Sequence, residues 1–214
     1  MDDVPVDKAG TRVRDDAEIR IKGGVNRFVS RGGDKLAGAL EDLGIDPTGL
    51  QCLDVGASTG GFTDCLLQAG ARGVVALDVG RSQLHERIRR DPRVHVLEKT
   101  NARHLEPGQL PEPVDLVVID VSFISAKLLL PPIRAAAPDA DVLVMVKPQF
   151  EVGRGQVGKG GVVRDDALRL EAAEGVKRCA EELGYRARAQ VESRVAGPKG
   201  NREIFLWLAF GTGD

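Results

Sequence analysis

The chain has 214 residues, 42% hydrophobic and 29% charged, with a net charge of −2; this describes one good-sized soluble domain with room for only a small appendage. No apolar run approaches the roughly 18 residues of a membrane helix, the opening MDDVPVDKAG has no signal-peptide character, and the scattered cysteines Cys52, Cys65 and Cys179 lack C-x-x-C spacing, so they read as reduced thiols of a cytoplasmic protein. Near-neutral total charge gives no global case for nucleic-acid binding, so any such case has to be local.

Residues 1–24 are polar, with sparse apolar positions at Val4, Val6, Val13, Ile19 and Ile21. They predict two or three short strands, too few to bury a core. Their rhythm resembles the C-terminal half of an S4 RNA-binding domain; a loosely docked leader is the alternative. Phe28–Gly44 predicts a glycine turn and then a helix with Leu36, Ala39, Leu40 and Leu43 on one stripe, stopped at Gly44. Lys35 stands in its first turn, where the helix dipole disfavours a cation. Leu50–Val55 predicts a buried strand carrying Asp54, followed by a turn with Gly56, Gly60 and Gly61 and a helix over Phe62–Ala71. Gly73–Gly80 predicts a second strand with Asp78 at its end, about 20 residues past the turn, where a ribose diol is held in nucleotide-binding folds. QLHERIRRD reads as a helix and Val94–Glu98 as a third strand. The amide of Asn101 beyond it suits an adenine edge or, equally, a turn or helix cap.

Leu116–Ile119 predicts a fourth strand ending in Asp120, and Ile124–Ala136 has helical apolar spacing. ADVLVMV predicts a fifth strand ending at Lys147, before Pro148. Residues 151–164 are glycine-rich and predict a loop over the site. Asp165 or Asp166 caps a helix to about Leu183, and two strands follow, around Ala187–Glu192 and Glu203–Ala209. Gly153–Lys159 fits G-x-x-x-x-G-K, but Gly160 stands where a phosphate loop needs Ser or Thr, so no phosphate role is assigned. The order predicts an α/β doubly wound sheet, with the ligand at the carboxyl ends of the strands, where Asp54, Asp78, Asp120 and Lys147 all lie.

The D-x-G-x-x-x-G spacing of Asp54, Gly56 and Gly60 resembles the first motif of S-adenosylmethionine (SAM) methyltransferases. VSRGGDKL, LDVGASTGGFTDCLL, ALDVG, TNAR, DVSFIS, VKPQFEVG and GNREIFLWL extend the likeness across nearly all of 25–210, and together resemble the TlyA/hemolysin A family. The resemblance implies a mostly parallel, seven-stranded Rossmann-like methyltransferase sheet with an antiparallel C-terminal strand. It implies an FtsJ-like domain over 25–214 that methylates the ribose 2′-hydroxyl of RNA, at a cytidine of ribosomal RNA, with SAM as cofactor and ribosomal RNA or ribosomal subunits as partner. The family's catalytic tetrad falls on Lys35, Asp120, Lys147 and Glu203, with all four residue types present. SAM contacts fall on Asp54, Gly56, Ala57, Ser58, Thr59, Gly60, Asp78, Val79, Asn101 and Asp120.

No metal is needed, and His85, His95 and His104 lack ligand spacing. Basic clusters flank the tetrad and nominate Arg27, Arg31, Arg154, Lys159, Lys199 and Arg202 for RNA phosphates. The helical first half of an S4 domain is missing from the resemblance, which leads to the expectation of SAM binding with weak ribosomal methylation. The alternatives are a membrane-active haemolysin, for which no strongly amphipathic basic helix is visible, a small-molecule methyltransferase, and a SAM-dependent RNA-binding module without catalysis.

Overall fold

A computed structural model describes residues 26–210; the expectation for residues 1–24 lies outside the described residues. Helix α1 (Arg31–Leu43) leads into β1 (Gln51–Val55), α2 (Gly61–Gln68), β2 (Gly73–Asp78), α3 (Glu86–Arg89), β3 (Val94–Glu98), β4 (Leu116–Ile119), α4 (Leu130–Ala136), β5 (Asp141–Val146), α5 (Pro148–Glu151), α6 (Asp166–Glu182), β6 (Arg186–Glu192) and β7 (Ile204–Ala209). The strands form one seven-stranded sheet in the order β3-β2-β1-β4-β5-β7-β6. β1 to β5 pair in parallel, and β7 runs antiparallel between β5 and β6. The strands β1, β2, β4 and β5 are largely apolar because helices cover both faces and only Asp78 and Asp141, at strand ends, are partly exposed.

Side-chain alternation divides the core in two. Leu53, Val55, Val75, Leu77, Val117, Ile119, Val142 and Val144 pack with α4 and α6. Cys52, Val74, Leu116, Val118, Leu143, Met145 and Phe205 pack with Leu36, Leu40, Phe62 and Leu66 of α1 and α2. Counting on by two from that second set reaches Asp120 past β4 and Lys147 past β5; counting back by two from Phe205 reaches Glu203. The charged groups beyond the strands therefore share the α1/α2 face.

Besides the unexpected single turn α5, two expected helices take a different form. The helix over QLHERIRRD shrinks to Glu86–Arg89, because His85 caps it through Nδ1 and Asp91 precedes Pro92. The apolar stretch 124–136 is not one helix. It splits into a 3₁₀ turn at Ala126–Leu128 and α4, which has prolines in its first turn. Pro131 and Pro132 have no N–H to donate to an earlier turn, so the α-helix starts there instead of passing through.

Candidate active site

At the carboxyl ends of the parallel strands lies a cleft of about 310 Å³, lined among others by Ser30, Arg31, Lys35, Gly56, Ala57, Ser58, Thr59, Asp120, Ser122, Lys147, Pro198 and Glu203. All members of the sequence-derived tetrad are there. The register explains how: Val146 pairs with Ile204, which sets Lys147 and Glu203 opposite each other at the mouth. Lys147 Nζ lies 2.5 Å from Asp120 Oδ1 and donates to Ser122 Oγ at 3.0 Å. Lys35, buried on α1, is ion-paired with Glu203, whose side chain is 2% exposed. α1 begins at Arg31, so Lys35 stands just past its first turn; a buried ammonium there needs a counter-charge, and the buried glutamate supplies it.

The turn after β1 is built for close approach. Gly56 has φ +90°, and a Cβ there would sit 2.3 Å from the Asp120 carbonyl oxygen, so only glycine fits. Ser58 also has positive φ, +48°, a conformation that costs a non-glycine residue of the order of 1 kcal/mol. Asp78 ties the turn to β2, accepting from Ser58 N at 2.8 Å and Gly80 N at 2.7 Å. A narrower recess beside the cleft shares Ala57 and Ser58 with it and adds Asp78, Leu84 and Glu98. Val79, next in the chain to Asp78, is largely exposed and lines neither space. Asn101 caps the 3₁₀ turn Ala102–His104 through Oδ1, which accepts from Arg103 N at 3.1 Å.

Asp54 departs from the expectation that strand-end carboxylates face the crevice: it is 0% exposed. Val55 pairs with both Leu77 and Ile119, so Asp78 and Asp120 stand level with Gly56, two residues beyond Asp54. Two residues of strand are about 6–7 Å, enough to bring Asp54 under α2. There Thr63 Oγ1 donates to Oδ2 at 2.6 Å, and Oδ1 has no partner among the described residues. Burial pushes this carboxyl up to about 7, helped by the charges of Asp120 and Asp78 and opposed by the Thr63 hydrogen bond.

Of the basic residues nominated from sequence, Arg31 lines the cleft, and Lys159 and Lys199 are exposed with no acidic partner among the described residues. Arg202 is held by Glu192 at 2.5 and 2.8 Å. Arg27 stacks over Phe28 and lines a different groove of about 440 Å³, near the C-terminal end of α1, which contains none of the tetrad. The side chain of Arg154 lies outside the described residues. Among the described side chains of the glycine-rich stretch 151–164, none lines the cleft. It folds onto the β6–β7 loop, where buried Asn201 accepts from Val163 N at 3.0 Å and donates to the Gly161 carbonyl at 2.8 Å.

The sequence reading missed Ser122, Phe123 and Pro198. Phe123, three residues past Asp120, has φ +67° and is 91% exposed, with its ring centroid 5.3 Å from that of Phe150. The signal available for it was an aromatic residue just past a strand-end carboxylate, outside any helical stripe.

A family model described as FtsJ-like methyltransferase matches residues 28–210. A Mycobacterium tuberculosis protein named 16S/23S rRNA (cytidine-2′-O)-methyltransferase TlyA is 51% identical over 210 residues, 97% of this chain and 78% of that protein. Hemolysin A of Brachyspira hyodysenteriae is 39% identical over 202 residues, 94% of this chain and 84% of its own length. A crystal structure from Lactococcus lactis, described there as a hemolysin, superposes with a TM-score of 0.83 at 42% identity, covering 87% of this chain and 90% of that one.

Proposed function

The chain belongs to the FtsJ-like methyltransferase family, and on that premise we propose that it methylates the ribose 2′-hydroxyl of ribosomal RNA, at a cytidine, using SAM. The observation that carries this reading is the Lys147 amine, held by Asp120 and Ser122 in a cleft that also contains the Gly56 turn. The residues suit the cofactor's chemistry. The turn at Gly56–Thr59 would admit an amino-acid end to the backbone, and Asp120 would face a cationic centre. Asp78 suits a diol, and Val79 and Asn101 would take the adenine side. The bound cofactor supplies an electrophilic methyl group on a sulfonium sulfur.

A ribose hydroxyl is a poor nucleophile at neutral pH. Lys147 lowers the barrier in one of two ways: as an ammonium it stabilises negative charge gathering on the 2′-oxygen while the hydroxyl proton passes to water, and as an amine it takes that proton itself. Asp120 and Ser122 fix the direction of Nζ. Lys35 and Glu203 add a buried pair on the same face, and the alternating charges hold each rotamer in place. Holding the hydroxyl in line with the methyl supplies much of the rate. The exposed ring of Phe123, next in the chain to cleft-lining Ser122, offers a target base a stacking surface. Such a substrate puts the work in the cytoplasm, at the ribosome.

Tritiated-methyl transfer to ribosomal subunits, with ribose-methylation mapping, tests the reading. The wild-type protein is expected to label a ribose, and Lys147→Ala to lose at least about a hundred-fold in kcat while still binding SAM. Unchanged transfer by Lys147→Ala would overturn the assignment. The hemolysin names belong to the relatives that carry them; among the described residues no helix is long and apolar enough to cross a membrane.

A further inference from the structure

We propose that Glu151 is a positioning residue that clamps the loop after β4 to α5, and thereby sets where Phe123 and Lys147 stand relative to one another. This rests on the reading of the cleft as an RNA methyltransferase site. Glu151 ends α5, the single turn that begins just after Lys147. Its side chain is 2% exposed. Oε2 accepts from Ser125 Oγ at 2.6 Å and Oε1 from Ala126 N at 2.7 Å. Lys127 Nζ is 3.6 Å away, and burial pushes the carboxyl group up from its ordinary range. A carboxylate kept in such a place costs stability unless its bonds are complete, and here both oxygens are used on one loop.

That loop starts at Asp120. The two segments, 120–126 and 147–151, are therefore tied at both ends: Lys147 to Asp120 and Ser122 at one, Glu151 to Ser125 and Ala126 at the other. Phe123 lies between the ties, in the left-handed region, with its ring near that of Phe150. A non-glycine residue keeps such a φ only while its surroundings over-determine it. Releasing the Glu151 end lets Phe123 return to negative φ, which takes its ring away from that of Phe150 and loosens the aim of Lys147.

The test has two readouts. In ¹⁹F NMR of protein carrying fluorophenylalanine, the Phe123 and Phe150 signals are expected to move in Glu151→Ala and to stay near their wild-type positions in Glu151→Gln, which keeps an acceptor for Ala126 N–H. In methyl transfer, Glu151→Ala is expected to raise KM for RNA roughly ten-fold or more, to leave SAM affinity within about two-fold, and to raise KM no further in a Phe123→Ala background, while the kcat loss from the loosened Lys147 persists there. Unmoved signals in Glu151→Ala, or additive KM effects in the double variant, would overturn the proposal. If the signals move as described while the wild-type protein methylates no RNA, the positioning role stands and the assigned reaction falls.

Discussion

Sealed between β1 and α2, the Asp54 carboxyl group has one oxygen bonded to Thr63 and the other to nothing among the described residues. Its proton affinity is raised from 3.8 to about 7, so folding favours the protonated form. The sign follows from linkage. The stabilisation is complete at pH values below the unfolded pKa and is lost as pH rises through the folded one, at most about 4 kcal/mol for a shift of this size. Melting temperature is therefore expected to fall between about pH 5 and pH 8 by more than in Asp54→Asn, and the variant should be the more stable of the two at the alkaline end. Parallel melting curves for the two proteins would remove Asp54 as the source. The residue type at this position was legible, since D-x-G-x-x-x-G needs only a string of letters. Its burial was not, because that depends on which neighbours share its rung, and β2 and β4 are brought alongside from elsewhere in the chain.

Among the elements, those with uninterrupted apolar runs or clear stops matched expectation. α1 ends where Gly44 takes φ +66° and Ile45 N donates back to Leu40 O. Periodicity failed at 124–136 because it counts apolar positions and ignores missing donors, and paired prolines decide where a helix begins. The glycine-rich stretch was expected over the site; its position is set instead by Asn201, two residues before Glu203. Each Asn201 bond is worth about 1 kcal/mol, so Asn201→Ala should open the 151–164 stretch by roughly thirty-fold in local equilibrium. Limited trypsin digestion at Lys159 and Arg164 reads this directly. Cleavage at the wild-type rate would show that the stretch holds without the clamp.

On the scale of the molecule, charge that reads as clustered along the chain is redistributed by folding. Arg194 meets Glu41 and Asp42, and Arg202 meets Glu192 and Asp166, all far away or on other elements. Of the nominated cations, Arg31, Lys159 and Lys199 have no acidic partner among the described residues, and we propose them for RNA phosphates. Each phosphate contact to a single strand contributes roughly 0.7 to the slope of log affinity against log salt. Lys159→Gln with Lys199→Gln is thus expected to flatten that slope for ribosomal RNA by up to about 1.4, and Arg202→Gln to flatten it less. An unchanged slope in the double variant would remove those lysines from the interface.

The sequence by itself determined the strand-and-helix order, the glycine turn and the residue types of the tetrad. Those depend on local spacing: buried parallel strands must be apolar, a tight turn must have glycine, and Lys35, Asp120, Lys147 and Glu203 sit in short recognisable runs. Tertiary structure alone decided which of those groups meet. Sheet register put Asp120 and Asp78 at the rim and Asp54 two rungs below it, and the antiparallel return of β7 brought Glu203 across from Lys147. Two ties on one loop hold Phe123 outward. Each is a relation between segments distant in the chain, and no single segment carries it.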